Sequence, residues 1–229
     1  MTSQTPASST AVDVIATVLR RRLSDAGATW IDRAIEIARH GSLDALLKLY
    51  TTAPLHVGRD PLALDDAERR EVDAVLPGLS LEQWAVEDGV RAWLLLERSG
   101  AETFVSDAIA CYEHGDAREQ QSWVRSAGLL PQPDRFLATV IDTCRTNILP
   151  LFEAVACDNP YAARFFPVRQ FNQLVLKALF NNVALARIVG LPDRLNADLS
   201  RMAGDYADER RAAGRSVPAD ISLAMLESR

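Results

Sequence analysis

Apolar residues recur along this chain at intervals of three and four, the spacing that lines one face of an α-helix. Val12, Ile15, Ala16, Leu19 and Leu23 form the first such stripe, with Thr10 and Asp13 placed as a capping box before it. Trp30, Ile31, Ala34, Ile35 and Ala38 form a second, which His40-Gly41 stops, and Ser42 caps a third carrying Leu46, Leu47 and Leu49. Residues 51–64, TTAPLHVGRDPLAL, are rich in proline, glycine and turn formers and mark the best internal break. Helices resume over 65–76, stopped by Pro77-Gly78, and over 81–98, capped by Ser80. No segment alternates apolar and polar residues with β-branched enrichment, so strand content is expected near zero.

From residue 101 the pattern becomes regular. Phe104, Val105, Ala108, Ile109 and Tyr112 share one face, and Asp116 with Glu119 opens a helix carrying Trp123, Val124 and Ala127. Displacing the chain by about 32 residues superimposes Phe104 on Phe136, Val105 on Leu137, Ala108 on Val140, Ile109 on Ile141 and Tyr112 on Cys144. Trp123 and Val124 then meet Val155 and Ala156, in the helix opened by Pro150. Two helices per unit predict stacked helical hairpins, an all-α irregular superhelix of the HEAT/armadillo kind. Two units match, and YAARFFPVRQ interrupts a third. Beyond it run a stripe of Phe171, Leu174, Val175, Ala178 and Leu179, a helix capped by Asn196 and closed at Gly214, and a short helix opened by Pro218. The expected organisation is a disordered tail at 1–10 and one all-α domain over 11–229, with 51–64 as the place for a sub-boundary.

Composition narrows the function. Of 229 residues, 48% are hydrophobic, enough for a sizeable core. The net charge of −6 argues against nucleic acid as a partner, because phosphate binding rests on clustered positive charge. The basic runs Arg20-Arg21-Arg22 and Arg210-Arg211 sit beside carboxylates and read as solvated helix faces. Cys111, Cys144 and Cys157 have no CxxC spacing and suit core thiols in a reducing compartment. No apolar run approaches the roughly 18 residues of a membrane helix, and the N-terminus lacks a secretion signal, so a cytoplasmic protein without membrane insertion is expected. Lysine occurs only at Lys48 and Lys177, so arginine supplies every other basic residue.

Motifs for catalysis are absent: no GxGxxG, Walker loop, GxSxG elbow or HExxH. The three histidines are too scattered for a metal site, and no cofactor is expected. Three stretches remain. YEHG and CRTN close matching helices, where His114-Gly115 and Arg145-Thr146-Asn147 suit helix stops. Stacked hairpins would bring His114, Asp116, Arg145 and Asn147 to one edge, able to orient a ligand. In CDNPYAARFFP, Asp158, Asn159, Tyr161 and Arg164 are either a helix stop with an aromatic plug or contacts for a polar metabolite. In FNQLVLKALF, Gln173 and Lys177 lie four apart on one face, beside Asn172. Lys177 either snorkels or, if buried, serves as a base.

Together, CYEHGDARE, CRTN, NPY, FNQLVLKALF and YADERRAAGRSVPADI resemble the EboA family of metabolite traffic proteins, over roughly 101–222. Residues 1–100 carry no motif that can be placed. The resemblance implies a helper protein encoded in bacterial clusters that make or export specialised metabolites. Its companions there are a prenyltransferase-like membrane protein, a sugar-phosphate-cyclase-like enzyme and metal-dependent hydrolase- or isomerase-like proteins. Carried over by matching position, the polar motif residues are His114, Asp116, Arg118, Arg145, Thr146, Asn147, Asn159, Tyr161, Asn172, Gln173 and Lys177. One departure is plain: after NPY the family pattern reads close to PARHFP, whereas this chain has AARFFP, with Ala162 and Phe165. The expectation is a non-catalytic role, binding a small polar metabolite or docking a pathway partner. The alternatives are an enzyme using Lys177 or His114 as acid or base, with Arg145 holding an anion, and a pure protein-interaction scaffold.

Overall fold

A computed structural model of the chain describes residues 7–226. Among them are 13 α-helices, short 3-10 turns and one isolated antiparallel bridge, Pro61 to Ala85. The fold is all-α. The chain divides into two compact units, Met1–Val140 and Ile141–Arg229.

The first unit begins with α1 (Ala7–Arg20), α2 (Asp25–His40) and α3 (Leu43–Val57). It continues with α4 (Asp66–Val75), α5 (Val86–Arg98), α6 (Phe104–Glu113) and α7 (Ala117–Ser126). Helix α1 starts at Ala7, so Thr10 lies within it and not ahead of it; residues 1–6 of the expected tail lie outside the described residues. The other starts follow side-chain chemistry. The first N–H groups of a helix lack intrahelical acceptors, and an oxygen on the preceding residue supplies one. Ser24 accepts from the Gly27 amide and Ser42 from that of Ala45, while Asp65 with Glu68 and Asp116 with Glu119 form complete capping boxes.

Two further boundaries differ from the sequence expectation. Helix α5 starts at Val86 and not at 81, because other groups take the backbone before it. The Trp84 carbonyl accepts from the Leu62 amide at 2.8 Å, and the Val86 amide donates to the Asp60 carbonyl at 2.9 Å. Ser80 caps only the Glu82 amide of the intervening turn. Helix α3 runs through Pro54 to Val57, shortening the expected break. Proline has no N–H to give the carbonyl four residues back. The buried Arg91 takes that role, its Nε donating to the Tyr50 carbonyl at 3.0 Å.

Helix α5 is the centre of the first unit. It is buried along nearly its whole length and packs against α1, α2, α3 and α7. At Gly89 a Cβ would stand 2.9 Å from a Leu19 methyl, so the missing side chain lets α1 approach closely. A hub helix of this kind differs from the expected superhelix, in which each hairpin meets only its sequence neighbours. The 32-residue pattern still marks burial: Phe104 and Phe136, Ala108 and Val140, Trp123 and Val155 are all buried. Within the first unit Phe136 makes edge contacts with Phe104 and Trp123, at centroid distances of 6.0 and 5.4 Å. The Trp123 indole N–H donates to the Ala108 carbonyl at 2.6 Å.

Helix α8 (Leu137–Thr143) crosses the division. The second unit holds α9 (Leu149–Ala156), α10 (Tyr161–Phe165), α11 (Val168–Phe180), α12 (Leu191–Arg194) and α13 (Ala197–Ala212). Pro150 lies in the first turn of α9, and Asn196 caps α13 by accepting from the Leu199 amide at 3.0 Å. Helix α11 packs against α9 and α13 with Phe171, Leu174, Val175, Ala178 and Leu179 buried.

Candidate functional site

In the second unit, α11 borders a cavity of about 250 Å³ lined by Ile141, Cys144, Arg145, Phe166, Gln170, Gln173, Leu174 and Lys177. Four of these, at 170, 173, 174 and 177, follow helical spacing on α11 and share one face. The volume holds on the order of eight waters at ~30 Å³ each, or one small organic molecule.

Lys177 stands at one wall. Its Nζ donates to the Cys144 carbonyl at 2.5 Å and the Thr146 carbonyl at 2.6 Å, and lies 5.0 Å from the centre of the Phe152 ring. These carbonyls belong to the chain just past α8, where helix-end oxygens lack partners and carry partial negative charge. The ammonium therefore closes that end, with one proton of three uncommitted. A general base must first surrender such bonds, so the geometry favours a structural cation over a catalytic one. Arg145 is exposed and pairs with exposed Asp142, at 3.1 Å. Gln170 is half-buried and Gln173 exposed, and both line the cavity, where solvent or a ligand can meet their amides. Burial pushes the Cys144 thiol up to about 12, against a smaller opposing pull from Lys177. A thiol so shifted supplies almost no thiolate near neutral pH.

The other sequence candidates of this unit have local work. Asn159 donates to the Ala154 carbonyl at 3.2 Å and accepts from the Tyr161 amide at 3.0 Å, closing the turn before α10. Tyr161 is fully buried against Phe165 and Phe166, as the aromatic plug reading expects. Asp158 has φ of 57° and binds Arg187, which also reaches Glu153. Buried Asn172 exchanges hydrogen bonds with Asn196, at 3.1 and 3.0 Å, and so holds the cap of α13. The Thr146 hydroxyl accepts from the Ile148 amide at 3.1 Å, and Asn147 is exposed in the same turn.

His114, Asp116 and Arg118 belong to the first unit. His114 is the exposed C-terminal cap of α6, its backbone N–H donating to the Ala110 carbonyl. Asp116 caps α7. Arg118 is bound to the buried Glu87 carboxylate at 2.6 Å, which raises its pKa further. Glu87 belongs to a buried polar cluster with Asp88, Arg91, Glu119 and Ser122. Arg91 donates to the Ser122 hydroxyl at 3.1 Å and lies 3.6 Å from Glu87 and 3.8 Å from Glu119. Ser122 donates to Asp88 at 2.5 Å, and Asp88 also receives Arg125 at 2.9 Å and the Ala85 amide at 2.8 Å. Every member has a partner and none of them lines a described cavity, so the cluster is internal scaffolding of α5 and α7. Among the described residues no group of three or more His, Cys, Asp or Glu is placed to hold a metal ion.

Helical phase in the sequence marked Gln173 and Lys177 but not Gln170, and Ile141, Phe166 and Leu174 read as core. Adding positions 170 and 174 to the same stripe was the available signal. The cavity that gathers Lys177, Gln173 and Arg145 lies inside the segment carrying FNQLVLKALF and CRTN. Residues 11–225 match the family described as metabolite traffic protein EboA. The chain belongs to the EboA family. The EboA match reaches back through the first hundred residues, where no motif was evident, so both units are part of what defines the family. No curated protein and no solved structure matches the chain. No helix among the described residues is long and apolar enough to cross a membrane.

Proposed function

We propose that this EboA-family protein binds a small polar metabolite in the α11 cavity and conveys it between steps of a specialised-metabolite pathway without transforming it. One observation carries the reading. A cavity of single-metabolite size is lined by the half-buried Gln170 and exposed Gln173, beside the Lys177 ammonium and the Arg145 guanidinium. Polar groups that face a concave site from solvent-accessible positions are available to orient a ligand in place of water. The commitment of Lys177 to two carbonyls and the upshifted Cys144 thiol support binding over catalysis. The family description, metabolite traffic, supports the same reading. A transporting role also calls for a partner that delivers or receives the cargo, and a membrane prenyltransferase-like protein of the same gene cluster is the proposed one.

Native mass spectrometry of protein purified from its own host tests this. The expected result is a discrete non-covalent adduct of small-molecule mass that Gln170→Trp, which narrows the cavity, abolishes while the helical circular dichroism is unchanged. The bare chain mass in both proteins, or a complex with another protein alone, overturns the metabolite reading in favour of a scaffold.

A further inference from the structure

We infer, resting on that reading, that the α11 cavity selects a carboxylate-bearing small molecule with an apolar body. The chain as a whole is acidic, with 31 Asp and Glu against 25 Lys and Arg. The cavity inverts that balance: Lys177 and Arg145 line it and no carboxylate does. One of its two cations is one of the only two lysines in the protein. Asp142, beside the rim, pairs with Arg145 in an ion pair exposed on both sides, and such pairs contribute little because water screens them. An incoming carboxylate can therefore displace Asp142 from the guanidinium fork, a geometry that suits a planar oxyanion.

Three features make the anion's place hospitable. The partial negative charge at the end of α8 would repel it, but Lys177 already offsets that charge through the Cys144 and Thr146 carbonyls. The third ammonium proton and the amide N–H groups of Gln170 and Gln173 add neutral and charged donors around the same space. Ile141, Phe166 and Leu174 supply the apolar wall for the remainder of the ligand. A cation finds here only the glutamine carbonyls and the Phe166 ring, against the like charges of Lys177 and Arg145. Phe166 is fixed in place on its backbone side, because Arg194 donates to its carbonyl at 2.7 Å.

The test is a charge series on one skeleton, followed by amide NMR of the full chain: phenylacetate, phenylacetamide and phenethylamine, with inorganic phosphate as the non-apolar anion. Phenylacetate should shift the amides of 170–177 and 141–146, and bind at least about fivefold more tightly than phenethylamine, the size of one screened charge contact. Arg145→Gln and Gln173→Ala, both at exposed positions, should each weaken phenylacetate about three- to fivefold with the spectrum otherwise folded. Equal or tighter binding of the amide or amine at these residues overturns the carboxylate assignment and leaves the cavity as the binding site. Tighter binding of phosphate than of phenylacetate overturns the apolar-body assignment. Shifts confined to other surfaces, or none with any probe at 20 mM, overturn both this inference and the reading on which it rests.

Discussion

Arg91→Met probes the centre of the first unit, because Arg91 does two unrelated jobs there. It neutralises Glu87 and Glu119, 3.6 and 3.8 Å away, and it supplies the hydrogen bond that Pro54 cannot give to the Tyr50 carbonyl. Methionine retains an unbranched stem but none of the donors, and it removes the guanidinium that stands 5.4 Å from the centre of the Tyr50 ring. Removing one partner of a buried ion pair costs about 3–5 kcal/mol. The lower end applies here, since Glu87 keeps Arg118 and Arg59, and Glu119 keeps the Asp116 amide. The orphaned Tyr50 carbonyl adds about 1 kcal/mol. Expected destabilisation is therefore about 3–4 kcal/mol, a fall of on the order of 1–2 M in urea midpoint. All four tryptophans, Trp30, Trp84, Trp93 and Trp123, lie in the first unit, so their fluorescence reports it. Pro54→Ala then separates the two jobs. It restores an N–H one turn after Tyr50, so Arg91→Met should cost about 1 kcal/mol less in that background. An Arg91→Met cost below about 1 kcal/mol refutes the buried-charge argument. An identical cost in both backgrounds refutes the claim that Arg91 repairs the proline gap.

The second unit offers comparable tests. Lys177→Met should destabilise by about 2 kcal/mol through loss of two charge-assisted bonds, with hydrogen exchange accelerated first at 144–147. Gly190→Ala should cost about 2 kcal/mol or more, read by thermal unfolding in far-ultraviolet circular dichroism, because φ is 72° and a Cβ would meet the Ala163 Cβ at 2.7 Å. Hydrogen bonding to Arg22 holds the Glu68 carboxyl down at about 2, from 4.5. The unfolded chain therefore binds a proton before the folded one does. Stability from this pair should be complete above about pH 5 and lost as pH falls toward 2, and Glu68→Gln should flatten that part of the acid-unfolding curve.

Local chemistry was legible wherever a few adjacent residues decide the outcome. Asp116 with Glu119, Ser42 and Asn196 cap the helices that their positions announce, because an N-cap needs only an oxygen within three residues of a free amide. The apolar stripe of α11 foretold its buried face in full, whereas in α3 Leu47 and Leu49 are only half-buried and Tyr50 and Ala53 join Leu46 inside. Misplaced boundaries had distant causes. Helix α5 starts late because residues 60–62 occupy the backbone around 84–86, and α3 survives Pro54 because Arg91 lies against it from another helix.

The sequence by itself determined an all-α chain, most of its helix starts, part of its core faces and its membership of the EboA family, since all of these rest on short-range spacing or on motifs read in order. Tertiary structure alone decided which polar residues are spent and which line a cavity. Asn172, Arg118 and Lys177 look equally available along the chain, yet packing gives each a partner from another segment. Gln170 and Gln173 instead face a cavity. Hydrogen bonds and ion pairs act over about 3–4 Å in space, whatever the separation in sequence, so no reading of spacing alone identifies which groups remain to meet a ligand.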